Sequence, residues 1–250
     1  LTKPFINLTA TILNMTFQVL HITPHIGGGV GTVIIDWLNS VSRTSNFHYV
    51  LACLDSCNSP SKSNLHPDKY IFHEGLYFKD REMLHDLILN SDLVLVHYWN
   101  HPLLSRLLVE EGLPNSRVIC WCHNSGLHEP SIIPNYLVDF VDTLVFTSAV
   151  SLKVDNLKAN IQKYKSKFQS IHSSRDFTDF LVVYSRRNHK LKAKNLIYVG
   201  TVSYDKLHAD SALMFNELAK CGFNLTIVGG PNHDHLKQQY FANNSCVTFT

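Results

Sequence analysis

Apolar positions along this chain follow two alternating rhythms. Short unbroken runs occur at 16-TFQVLHI-22, 47-FHYVLACL-54, 93-LVLVH-97, 117-RVICWC-122 and 143-TLVFT-147. Between them, apolar residues are spaced by three and four. The first such stripe is Val30, Val33, Ile34, Trp37, Leu38 and Val41. Later ones are Met83, Leu84, Leu87 and Ile88, then Leu103, Leu104, Leu107 and Leu108 up to Gly112. Unbroken runs of this length read as strands buried on both faces, and the stripes as one face of a helix. Repeated strand–helix alternation predicts a parallel sheet covered by helices. A short helix is expected near 134–140. A longer one is expected over 149–168, with Val154, Leu157, Ile161, Tyr164 and Phe168 on one side and Lys153, Lys158, Lys163, Lys165 and Lys167 around the rest.

The rhythm breaks after that. Residues 169–194 are Ser-rich and end in the basic run 186-RRNHKLKAK-194, which reads as an interdomain connection. A second alternation follows: strand 195-NLIYV-199, a helix striped by Ala212, Phe215, Leu218 and Ala219, strand 224-NLTIV-228, a helix near 233–242 and strand 246-CVTFT-250. The expected organisation is an extension over 1–14, an N-terminal Rossmann-like domain over 15–185 and the first part of a second over 186–250. So few strands would leave a long unpaired edge, so the chain is expected to be cut inside its second domain. The fold class is α/β, two Rossmann-like domains with the second incomplete.

Composition narrows the function classes. The 250 residues are 45% hydrophobic and 17% charged, ample for a core. A formal net charge of +2 supplies no field that would draw nucleic acid. No apolar run approaches the roughly 20 residues needed to span a bilayer. The cysteines sit in or beside apolar runs of a chain too long to need a disulfide framework, which points to a reducing compartment. Cys120, Cys122 and His123 have the residue types of a metal site. A strand there would send neighbouring side chains to opposite faces, so no metal is expected. The basic 149–168 segment reads as a solvated surface, or as a peripheral contact with an anionic membrane.

In open parallel sheets, ligands bind beyond the carboxyl ends of the strands. Those ends carry the glycine loop 26-IGGGVGT-32, Asp55, His97, His123 and Ser148. The loop lacks the lysine of a mononucleotide-binding loop. It also departs from the dinucleotide fingerprint: Gly27 and Gly29 fit, but Thr32 holds the third glycine position. With Asp55 as a ribose-binding acid, a nucleotide-dependent oxidoreductase stays open as an alternative. What the loop does offer is a helix N-terminus with accessible N–H groups, suited to an anion or serving only as a tight turn.

In order and spacing, the glycine loop, DLVLVHYWNHPLL, RVICWCHNSG, VDTLVFTSAVS, NLIYVGTVSYDK and NLTIVGG together resemble the GT-B fold glycosyltransferases, specifically the retaining family 4 (glycosyltransferase group 1), over residues 15–250. The resemblance implies transfer of a sugar from a nucleotide-diphospho-sugar to a glycan or lipid-linked acceptor, with retention of configuration. It implies two domains facing a cleft, no metal bridge and no cofactor, a cytoplasmic or peripheral inner-membrane setting and a role such as polysaccharide biosynthesis. Carried over by residue, Gly27, Gly28, Gly29 and Gly31 approach the donor phosphates or sugar. His123 contacts the donor sugar near the reacting carbon, and His97 and Asn124 are counted with the substrate- or donor-binding residues. Gly200, Gly229 and Gly230 lie near the nucleotide, and Lys206 neutralises the departing diphosphate. Thr201 stands where the family has arginine. Losing that charge would cost about 2–4 kcal/mol of transition-state stabilisation. A non-catalytic GT-B-like subunit is therefore a second expectation. The family's glutamate pair would lie beyond Thr250, so the 250-residue chain alone is expected to be inactive.

Overall fold

A computed structural model describes residues 16–41, 46–129, 131–173, 194–200, 210–229 and 245–249. The chain divides into two compact units, residues 1–177 and 178–250. The boundary expected at 185/186 lies outside the described residues, as do the 1–14 extension, the basic run 186–193, the helix expected near 233–242, and the candidate residues Thr201, Lys206 and Gly230.

In the first unit the described elements run β1 (Phe17–Thr23), α1 (Gly28–Val41), β2 (Phe47–Cys53), α2 (Ser59–Lys62), β3 (Ile71–His73), α3 (Leu76–Lys79), α4 (Arg81–Leu89), β4 (Leu93–Tyr98), α5 (Pro102–Ser105), β5 (Val118–Cys122), α6 (Leu137–Phe140), β6 (Thr143–Phe146), α7 (Lys158–Lys163) and β7 (Phe168–Ser170). The seven strands form one sheet in the order β3-β2-β1-β4-β5-β6-β7, and every pairing is parallel. All carboxyl ends therefore share one edge. The order reverses between β1 and β4, the crevice where such sheets take ligands.

Side-chain alternation divides the core between the two faces. Leu20, Ile22, Val50, Val94, Val96, Cys120 and Cys122 pack on one face with Leu104 and Leu108. Val19, Tyr49, Leu51 and Cys53 pack on the other with Ile34, Ile35 and Leu38 of α1. Residue parity thus decides which helix a strand residue meets.

The expected continuous helix over 149–168 does not form. The segment is a series of short turns, 3-10 at Ala149–Lys153, Asp155–Leu157 and Lys165–Lys167 with α7 between, ending in strand β7. Val154 is extended (φ −66°, ψ 125°), which breaks the ladder, and Tyr164 also leaves helical geometry. Val154, Leu157 and Phe168 are buried as the stripe requires, Phe168 from a strand. The spacing is satisfied without a helix, and the lysines do not line one helical face. The helix ending at Gly112 is α5 continued by a π-helical turn, Arg106–Glu111, and Gly112 closes it at φ 73°. Strands β3 and β7 and helices α2 and α3 are too short to leave a period in the sequence.

The second unit holds β8 (Asn195–Val199), α8 (Ser211–Lys220), β9 (Asn224–Val228) and β10 (Val247–Phe249). Its parallel sheet has the order β10-β9-β8, and Phe215 and Ala219 of α8 pack on Leu225, Ile227 and Val247. No described helix is long and apolar enough to cross a membrane.

Candidate functional site at the carboxyl edge of the first sheet

The glycine loop closes the gap between β1 and α1. Gly28 opens α1 at φ +68°, a left-handed conformation costly to any residue with a Cβ. A Cβ on Gly31 would lie 1.9 Å from the Ile26 carbonyl oxygen, so the loop can return over the helix only at a glycine. Gly29 has neither constraint: nothing lies within 4 Å of a Cβ placed there. The backbone of this position faces open space at the N-terminus of a 14-residue helix, where N–H groups and the helix dipole favour negative charge.

The loop is set by imidazoles. His25 Nδ1 accepts from Gly27 N–H at 3.1 Å, and the His25 ring packs edge-on against Trp99 and His101. His101 Nδ1 caps α5 by accepting from Leu103 N–H at 3.3 Å, and burial lowers its pKa below the ordinary value.

Beside the loop, three histidines cross the sheet diagonally. His21 lies on β1 opposite Leu95, and His97 on β4 opposite Trp121. Parity places His21, His97, Trp121 and His123 on the face that α1 covers. His21 Nδ1 is 2.9 Å from His97 Nε2, and His97 Nδ1 is 2.9 Å from His123 Nε2. His21 and His97 are 0% and 1% exposed. Burial pushes the His21 pKa down to about 3 and that of His123 to about 4, and holds His97 well below 6.5. All three rings are therefore neutral at pH 7. Trp37 and Tyr49 pack against His21, and Trp121 stacks on His123 with centroids 5.3 Å apart.

Asn124 follows His123, and its Nδ2 donates to Asn100 Oδ1 at 2.5 Å. Asn100 in turn donates to the Ile132 carbonyl at 2.7 Å. The pair ties the loops after β4 and β5 together. Asp55, the acid of the alternative reading, accepts from Ser56 N–H at 2.7 Å in a local turn, and its carbonyl accepts from Gly75 N–H. Ser148 caps the turn after β6 by accepting from Val150 N–H. Among the described residues no group of His, Cys, Asp and Glu is arranged to hold a metal ion. In the histidine line the facing nitrogens are turned on one another.

In the second unit, Gly200 N–H donates to the Val228 carbonyl at 2.9 Å, and a Cβ on Gly229 would lie 1.8 Å from the Gly200 carbonyl oxygen. The two strand ends approach so closely that their backbones meet.

The structure thus brings Gly27, Gly28, Gly29, Gly31, His97, His123 and Asn124 to one edge of one sheet, and Gly200 and Gly229 to the strand ends of the other. Sequence reasoning missed His21, His25, Asn100, His101, Trp99 and Trp121. The signal for His21 was present: it is the third histidine near a strand's carboxyl end, two residues from the end of β1.

No protein-family model matches this chain, and no curated protein matches it. Solved structures share its fold. An alpha-glucosyltransferase in complex with UDP is 13% identical, with 89% of this chain and 61% of that one covered and a TM-score of 0.55. The apo form of the lipopolysaccharide outer core galactosyltransferase WaaB is 15% identical, with 93% and 67% covered and a TM-score of 0.55. Anabaena HepE in complex with UDP-glucose is 12% identical, with 93% and 68% covered and a TM-score of 0.57. Some alpha-glucosyltransferase structures hold DNA as well as UDP or UDP-glucose. At such identities the likeness is one of fold, and the fold is that of GT-B glycosyltransferases. The chain spans about 61% of the length of the alpha-glucosyltransferase.

Proposed function

We propose that this chain is part of a retaining, family 4 type glycosyltransferase that moves a hexose from a nucleotide-diphospho-sugar to a glycan or lipid-linked acceptor. The observation that carries the reading is the pairing of an open glycine helix N-terminus with a neutral, part-buried His123 at one sheet edge, in a fold it has in common with UDP- and UDP-glucose-bound proteins. Amides at Gly28 and Gly29 would meet donor phosphate or sugar oxygens beside Gly27, whose own N–H is held by His25, and His123, with His97 and Asn124 beside it, would bind a sugar hydroxyl. Lys206, with Gly200, Gly229 and Gly230, is assigned the nucleotide diphosphate, without a metal or cofactor. A net charge of +2 puts a glycan or lipid-linked acceptor ahead of nucleic acid; a cytoplasmic setting goes with the family resemblance.

Thermal unfolding with UDP, GDP, UDP-glucose and NAD tests the assignment. A ligand at a hundredfold its Kd adds about 2.7 kcal/mol, so UDP or UDP-glucose should raise Tm and NAD should not. Stabilisation by NAD alone would overturn the reading in favour of the oxidoreductase. One observation favours a second, non-catalytic reading: Thr201 stands where the family has arginine. That reading predicts donor binding without sugar transfer in a protein that carries the glutamate pair, with transfer appearing only when Thr201→Arg restores the charge.

A further inference from the structure

Each nitrogen–nitrogen hydrogen bond in the His21–His97–His123 line holds one proton, and each neutral imidazole supplies one. His97 is bonded through both nitrogens. It must donate through one and accept through the other, so the direction of one bond dictates the other. Two arrangements are available: every N–H points towards His123, or every N–H points towards His21. The second would leave an N–H on His21 Nε2, which is buried without a partner, so the first holds: the proton of His123 sits on Nδ1, and its tautomer is set by its partner on β4. A further proton would have to fill both outer nitrogens at once. It would leave a charge in the core and an N–H on His21 Nε2, which is buried without a partner.

We infer that His97, backed by His21, is a positioning residue that locks His123 in one tautomer, so that His123 Nδ1 meets a ligand as a fixed hydrogen-bonding group. Ring geometry supports the same role. Successive centroids are 5.2 Å apart, with planes inclined by only 19° and 23°, so the line also sets the tilt of His123. Trp37, Tyr49 and Trp121 pack against the three rings. Of these Tyr49 alone is titratable. The chemical class that suits the open end is a hydroxyl. It accepts from the His123 Nδ1–H as a neutral group, whereas a phosphate finds no positive charge here. The choice of a sugar hydroxyl rests on the transferase reading above; the lock on His123 does not.

The test uses the ¹⁵N-labelled chain without ligand. Nitrogen–nitrogen couplings across hydrogen bonds should connect His21 to His97 and His97 to His123, and His123 should show one pyrrole-type and one pyridine-type nitrogen without titrating between pH 5 and 8. His97→Phe keeps the ring shape and removes both bonds, and should give His123 averaged, mixed-tautomer shifts. His97→Gln can still donate and accept, and should restore a single tautomer. Missing couplings, independent titration near pH 6.5, or an unchanged His123 tautomer in His97→Phe would each overturn the inference. If His97→Phe does not fold, the couplings in the unaltered chain decide alone. Because no ligand is present, failure here leaves the transferase reading standing, and a failure to bind UDP-sugars leaves this one standing.

Discussion

Gly29 and Gly31 stand two residues apart in one loop and meet opposite surroundings. Ala at 31 collides with the Ile26 carbonyl, and Gly31→Ala should lower stability by about 1–3 kcal/mol in urea unfolding, as overpacking does. Ala at 29 meets nothing. Gly29→Ala should leave stability unchanged or raise it by about 0.4–1 kcal/mol through the unfolded chain, while weakening UDP-sugar binding by calorimetry if the backbone approaches the donor there. On the proposed reading, His123 serves the sugar and not the nucleotide. Removing one hydrogen bond of about 1.4 kcal/mol costs about tenfold in affinity, so His123→Ala should weaken UDP-glucose about tenfold and leave UDP within twofold. Equal loss for both ligands would move the role of His123 from sugar to nucleotide. At this scale the sequence showed which residues were glycine or histidine, but not that Gly31 is required by packing and Gly29 by nothing in the described chain.

Strand starts show how elements are pinned. Asp92 and Asp142 each stand one residue before a strand, β4 and β6. The Asp92 carboxylate accepts from Gln18 N–H at 2.8 Å, and that of Asp142 from Val118 N–H at 2.7 Å, while their own N–H groups donate to the carbonyls of the same two residues. Each aspartate thereby clamps its strand to the neighbour and fixes the register that parity depends on. Val118 is 4% exposed whereas Gln18 reaches solvent. Asp142→Ala should therefore cost about 1–3 kcal/mol by stranding a buried donor, and Asp92→Ala clearly less, measured by the same unfolding experiment. Strong periods identified the long elements, α1, α4 and the major strands. The 149–168 stripe misled because Val154 and Leu157 need only be buried, and successive tight turns bury them as well as a helix would.

For the whole molecule, the histidine line makes stability depend on pH. The folded-state pKa values are lowered, to about 3 for His21 and about 4 for His123 from 6.5, so between pH 6.5 and 4 the unfolded chain binds protons that the native chain refuses. Their stabilisation is fully present above pH 6.5 and declines as pH falls, by up to about 1.4 kcal/mol per pH unit for each imidazole. Denaturant midpoints should fall from pH 7 to pH 4.5, and His21→Phe should flatten that slope; a midpoint independent of pH would show that the rings are charged in the native state. The alternation of strands and helices, the parallel sheet and the glycine-to-helix junction were determined by the sequence alone, because burial on both faces of a sheet and on one side of a helix leaves periods that local order preserves. The joining of His21, His97 and His123, the tethering of Asn124 to Asn100 and the division of labour within the glycine loop were decided by tertiary structure. These pairs lie up to 76 residues apart, and only strand register brings them within a hydrogen bond.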